Sequence, residues 1–286
     1  MRSPEIVKRL IVEIATNDDR IRAVLLIGSR ASKNVSPDRY QDFDVVFVVN
    51  SFEQFTSDHK WIDIFGERLI SQLPGNMGLA IDRDENGLVF HYLMLLADGN
   101  RIDLTIVAAD QVKDQLPIDD AFVVWLDKDN FYDGKEMSNT NEHLIIPPGE
   151  REFLDTCNEF WWVSTNVAKG LVRNEITYSK EMLEQCVRPM FMKILEWYIG
   201  ITTDFSVSFG KGGRFMAKHL SRETYEKILS TYADSDLGRN WQAFSSMMDL
   251  FGKLASLVGR DRGFKYNIEE ETNVRKYIEQ LHHRDL

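Results

Sequence analysis

Pro147-Pro148 separates two stretches with different hydrophobic periods, and this change constrains the fold more than any other feature of the chain. Before it, apolar residues come in short β-branched runs broken by Gly, Asn, Asp and Pro. After it, they recur every three or four residues over long spans, the period of amphipathic helices. Successive prolines neither continue a helix nor fill a central strand, so a boundary belongs there. It is expected between 136 and 150, giving a first domain over 1–140 and a second over 141–286. With 286 residues and 43% hydrophobic content, each half can bury a core of its own.

In the first half, Ser3 and Pro4 open a helix that ends near Asn17, with Ile6, Val7, Leu10, Ile11 and Ile14 on one face. Residues 21–27 and 43–49 are apolar, β-branched strands. A helical stretch is expected around 61–71. Residues 88–97 and 101–107 are strands joined by Asp98-Gly99-Asn100, a hairpin signal. A helical stretch over 108–116 and a strand over 122–126 follow. In the second half, helices are expected near 150–174, 178–201, 221–232, 237–259 and 269–283, with a kink at Pro189. The fold class is α+β, a mixed sheet flanked by helices followed by a helical bundle, a layout that leaves a cleft for ligands.

Charge and composition remove several functions. The formal net charge of −11 repels DNA and RNA, shows no offsetting Lys/Arg block, and favours a cationic partner. No run approaches the ~18 to 20 apolar residues of a membrane helix, and Met-Arg-Ser-Pro-Glu lacks a secretory core, so a cytoplasmic protein with no membrane partner is expected. Cys157 and Cys186 lack companions at ligand spacing, which leaves buried thiols as their reading. Histidines show no paired ligand spacing apart from His282-His283 in the C-terminal tail.

The chemistry concentrates at Gly28-Ser29-Arg30, which ends one strand, and Asp42-Phe43-Asp44, which enters the next. Residues i and i+2 of a strand share a face, so Asp42 and Asp44 project together while Phe43 turns inward. Two like charges this close call for a cation, and hard oxygen ligands suit Mg²⁺. Asp103 follows the hairpin turn, so its strand can bring a third carboxylate to the same point. Three carboxylates can hold two ions about 3.5 to 4 Å apart, the arrangement that clamps the entering and leaving oxygens of a phosphoryl displacement. Gly28 admits phosphate close to the backbone, Ser29 offers donors and Arg30 adds charge. Ordinary turn chemistry and solvated acids are the competing readings of these residues.

Gly-Ser after a strand, then Asp-x-Asp, resembles the nucleotidyltransferase superfamily of DNA polymerase beta. A closer resemblance runs through Asn17-Asp18-Asp19-Arg20-Ile21-Arg22, Gly28-Ser29-Arg30, Pro37-Asp38-Arg39-Tyr40-Gln41-Asp42-Phe43-Asp44, Asp98-Gly99-Asn100-Arg101-Ile102-Asp103-Leu104-Thr105, Leu126-Asp127-Lys128-Asp129, Cys157-Asn158-Glu159-Phe160-Trp161 and Lys169-Gly170-Leu171. These segments look like the aminoglycoside 6-adenylyltransferases, which modify streptomycin; the matches thin out beyond about residue 220.

The resemblance implies a catalytic N-terminal domain, a helical substrate-binding domain, ATP and Mg²⁺ as cofactors, and an adenylylated antibiotic as product, hence antibiotic resistance. Asp42 and Asp44 would bind metal, and Ser29 and Arg30 the triphosphate. Asp103 is the candidate general base, with base, ligand or both open to it. Lys169 and Arg173, four residues apart, are candidates for nucleotide phosphates or for a solvated helix face. Lys211, in Phe209-Gly210-Lys211-Gly212-Gly213-Arg214, lacks the P-loop pattern and is a candidate phosphate contact only. Glu159 and Trp161 are candidates for the drug, with surface acid and core aromatic as their competing readings. Asp82, Asp84 and Glu85 form an acidic loop, a candidate lip of the drug site. A monomer or small homo-oligomer is expected. The competing functions are a nucleotidyltransferase for another acceptor and a non-catalytic nucleotide-binding module.

Overall fold

The computed structural model describes residues 1–32, 35–78, 89–111, 122–132 and 144–284. The chain divides into two units, Met1–Glu142 and His143–Leu286.

In the first unit, period-two alternation decides which face each side chain takes. Strands β1 (Ile21–Ile27), β2 (Phe43–Val49), β3 (Arg68–Gln72), β4 (Val89–Leu96), β5 (Arg101–Ala108) and β6 (Val123–Asp127) make one sheet in the order β3-β4-β5-β2-β1-β6. The β2–β5 pair is parallel and the other neighbours are antiparallel, so the sheet is mixed. Phe43, Val45, Phe47 and Val49 of β2 and Ile102, Leu104 and Ile106 of β5 point to one face. Helix α1 (Pro4–Asn17) covers that face with Val7, Ile11 and Ala15. The opposite face carries a smaller apolar patch, Ala23, Leu25, Val46, Val48 and Val107. By the same alternation Asp44 and Asp103 fall on this second face, at its open end.

Two expectations change here. The stretch over 61–71 is not one helix. A 3-10 segment, His59–Phe65, stops at Gly66, whose φ of 121° no helix accepts, and β3 then pairs with β4. Ser3 sits at the N-cap of α1, yet its side chain makes no capping bond; its carbonyl instead accepts from the Ile6 and Val7 amides at 3.0 and 3.1 Å. The hairpin is formed as expected, Gly99 supplying φ 84° and Asp98 accepting from the Asn100 amide at 3.0 Å. The expected helix over 108–116 lies for the most part outside the described residues.

The second unit is helical. It contains α3 (Glu150–Val172), α4 (Ile176–Met182), α5 (Arg188–Thr202), α6 (Met216–His219), α7 (Arg222–Leu229), α8 (Leu237–Arg262) and α9 (Ile268–Arg284); α2 (Phe52–Thr56) belongs to the first. The core is built on α3, α5 and α8. Phe160 of α3 and Phe251 of α8 stack with ring centroids 3.5 Å apart, and Phe153, Phe191, Phe244 and Leu254 are fully buried around them or nearly so. Gly170 lets α4 pack closely on α3: a Cβ there would collide with Ser179 Oγ and meet Tyr178 Cδ1. The kink expected at Pro189 takes the form of a π-helical turn, Leu183–Val187, just ahead of it. Proline has no N–H to give and crowds the carbonyl four residues back, and a wider turn relieves both. Asp236 caps α8 by accepting from the Arg239 amide at 2.8 Å, and Gly263 ends it at φ 75°. Among the described residues no helix is long and apolar enough to cross a membrane.

Candidate active site

β1 ends at Ile27, which pairs with Asp44 of β2, and Asp44 pairs in turn with Asp103 of β5. Three adjacent strands thus bring the Gly-Ser bend and two acids into one row across the sheet. Asp42, two residues before Asp44, faces the same way, while Phe43 between them is buried.

The bend fits tightly against this row. Gly28 has φ 68°, and a Cβ there would overlap Asp44 Oδ2. Glycine is required at 28 for both reasons, and the space beside its Cα belongs to the Asp44 carboxylate. Gln41 Nε2 donates to the Ser29 carbonyl at 3.1 Å, tying the bend to the loop that carries Asp42. The Arg30 guanidinium lies over the Phe43 ring at 4.0 Å, and its Nε and Nη2 donate to the carbonyls of Asp42 and Gln41 at 3.0 and 2.7 Å. Arg30 therefore braces the loop from within, and burial holds its pKa below the ordinary arginine value.

The acids feel one another. Burial, then the charges of Asp103 and Asp42, pushes Asp44 up to about 6. Asp42 is also raised, chiefly by burial, with Arg101 acting against the shift. Arg101 sits at the centre of this balance. Its Nε and Nη2 donate to both oxygens of Asp103 at 2.8 and 2.7 Å, and its Nη1 lies 3.6 Å from Asp42 Oδ2. Among the described residues, no three His, Cys, Asp or Glu groups converge closely enough to hold a metal ion as they stand. The donor set still has the chemistry of a hard divalent site: oxygen ligands from carboxylates on one sheet face, already drawing in the Arg101 guanidinium. Sequence reading missed Arg101 and Gln41, although Arg101 stands two residues from Asp103 on one strand and so shares its face.

A family model described as streptomycin adenylyltransferase matches residues 1–281. An aminoglycoside 6-adenylyltransferase from Bacillus subtilis is 37% identical over 283 residues, 99% of each chain. One from Campylobacter jejuni is 38% identical over 278 residues, 97% of this chain and 95% of the relative. The chain belongs to the aminoglycoside 6-adenylyltransferase family. It is accordingly an enzyme of the nucleotidyltransferase superfamily. A solved structure described as a crystal structure of an aminoglycoside 6-adenyltransferase from Bacillus subtilis is 32% identical and covers 99% of both chains, with a TM-score of 0.48.

For a member of the aminoglycoside 6-adenylyltransferase family, the remaining candidates divide by environment. Lys169 is half-buried on α3, and Arg173 is exposed at its C-cap, 4.0 Å from Glu175. Lys211 is exposed in a 3-10 turn flanked by glycines at φ 71°, 64° and 77°. Glu159 is exposed on α3. Trp161 requires a correction: it is 1% exposed, its indole N–H donates to the Tyr266 hydroxyl at 2.9 Å, and it is packed against Phe160 and Phe251. Trp161 also lines a pocket of ≈ 280 Å³, shared with Asp155, Asn158 and Glu270. The aromatic that α3 presents outward is Trp162, 69% exposed. Helical period explains the exchange, because one residue turns a side chain by about 100°. Asp82, Asp84 and Glu85 lie outside the described residues.

Proposed function

We propose that the protein transfers AMP from ATP to a hydroxyl of streptomycin, at the 6-position, and releases pyrophosphate. The observation that carries this reading is the alignment of Asp42, Asp44 and Asp103 on one sheet face beside the Gly28-Ser29 bend, in a chain of this family. Mg²⁺, when bound by Asp42 and Asp44, supplies neutralisation of the triphosphate and of the leaving pyrophosphate.

The chain's own residues do the positioning. Gly28 and Ser29 seat the phosphates on the bend, and Arg30 and Gln41 keep that bend and the Asp42 loop in fixed register. Asp103 is the candidate base. As the acceptor oxygen forms its bond to the α-phosphorus, its proton passes to the carboxylate and the bond to pyrophosphate breaks. No covalent enzyme intermediate is needed. Lys169, Arg173 and Lys211 are proposed as phosphate contacts. Glu159, with Trp162 in place of Trp161, supplies an acid and an aromatic face suited to a guanidinium-bearing drug.

Mass spectrometry of streptomycin incubated with enzyme, ATP and Mg²⁺ tests this reading. The expected result is a gain of one AMP, with fragments placing it on the 6-hydroxyl, and none with EDTA or with Asp42→Asn. A product on another acceptor, with streptomycin untouched, would overturn the substrate assignment. ATP binding with no pyrophosphate released across a panel of acceptors would overturn the catalytic one.

A further inference from the structure

Arg101 is placed where a metal-binding site has no evident use for a fixed positive charge. It reaches Asp103 through a two-pronged hydrogen bond and comes within 3.6 Å of Asp42, so one guanidinium spans two of the three carboxylates. The strands do not depend on this bridge. β2 and β5 are joined by a backbone ladder from Phe43 to Val49, and Ile102 and Leu104 are buried on the other face. Arg101 is 45% exposed, with solvent beside it to receive the side chain if it lets go. The pair is exposed on the arginine side, 45% against 20% for Asp103, so releasing it costs less than breaking a buried pair.

Charge bookkeeping points the same way. Three acids stand in one row, and Arg101 offsets part of their charge by reaching Asp103 and Asp42 together. A divalent ion entering the row finds its ligands engaged and meets a like charge. We propose that Arg101 is a resident cation of the carboxylate row, holding Asp103 and Asp42 until a divalent ion displaces it. This rests on the reading of the row as the metal site. Arg101 is then a positioning residue: it bridges Asp103 and Asp42 and screens their repulsion in the empty enzyme, and sets how tightly metal is held without nucleotide.

Binding of Mn²⁺ alone to the full-length protein, followed by the loss of the free-ion electron paramagnetic resonance signal, tests the inference without turnover. Arg101→Gln is expected to bind Mn²⁺ about tenfold tighter than the parent, since it removes a competing charge a few ångströms away. Asp42→Asn is expected to bind far more weakly. Unchanged or weaker binding by Arg101→Gln, while Asp42→Asn loses the ion, overturns the role of Arg101 and leaves the metal site standing. Unchanged binding by Asp42→Asn removes the metal site and the inference with it. Should Arg101→Gln not fold, Arg101→Lys carries the test: lysine keeps the charge but not the fork, so folded Arg101→Lys should bind a few-fold tighter, and unchanged affinity overturns the inference.

Discussion

Asp44 is held at a cost to the fold. Its carboxyl titrates near 6 in place of 3.8, because burial and two neighbouring acids disfavour its charge. An acid whose folded value lies above its unfolded one binds more protons when folded. It destabilises the fold where it is ionised, above pH 6, and the penalty vanishes as the pH falls below 3.8. Asp44→Asn should therefore stabilise the metal-free protein by about 1 to 3 kcal/mol at pH 8 while abolishing adenylyl transfer. Denaturant unfolding in EDTA at pH 8 and pH 4 checks both signs, the gain shrinking at the lower pH. The two tryptophans of α3 make the complementary case. Trp161→Ala should cost about 3 to 5 kcal/mol, as removal of a buried aromatic does. Trp162→Ala should stay within about 0.5 kcal/mol yet raise KM for the drug several-fold, read from chemical unfolding and steady-state kinetics.

Secondary-structure elements were most legible where an apolar run was uninterrupted. Phe43–Val49 and Ile21–Ile27 are nearly continuous apolar, β-branched runs, and the observed strands begin and end where the runs do. The two-residue repeat of a strand also puts Asp42 and Asp44 on one face. The stretch over 61–71 misled because Trp61, Ile62 and Phe65 have helical spacing, while the element is decided by Gly66 and by hydrogen bonds to β4, a partner far along the chain. Arg101 was illegible for a related reason: a positive charge beside acids reads as ordinary strand polarity until its two carboxylate partners are located. Gly170 shows local propensity and packing in opposition. Alanine is favoured over glycine in a helix interior by about 1 kcal/mol, yet a methyl group at 170 overlaps Ser179 Oγ across the α3–α4 contact. Packing should win, since the methyl group also meets Tyr178 Cδ1 at 2.9 Å, and Gly170→Ala should lower the midpoint of chemical unfolding.

A net charge of −11 should attract a polycationic substrate over distances comparable with the Debye length, and the attraction should weaken as salt is added. KM for streptomycin should rise several-fold between about 0.05 and about 0.5 M KCl, with kcat little changed, in initial-rate measurements at saturating ATP and Mg²⁺. A KM indifferent to salt would count against long-range attraction. Topology has a further effect on how the molecule comes into being. Because β2 and β5 run parallel, no tight turn can join them, and β3 and β4 intervene in the chain. A nascent polypeptide emerging from the ribosome thus exposes Asp42 and Asp44 well before the strand bearing Arg101 and Asp103 is made. The carboxylate row is complete only once β5 has been made, and products truncated ahead of β5, which lack Asp103, should be inert.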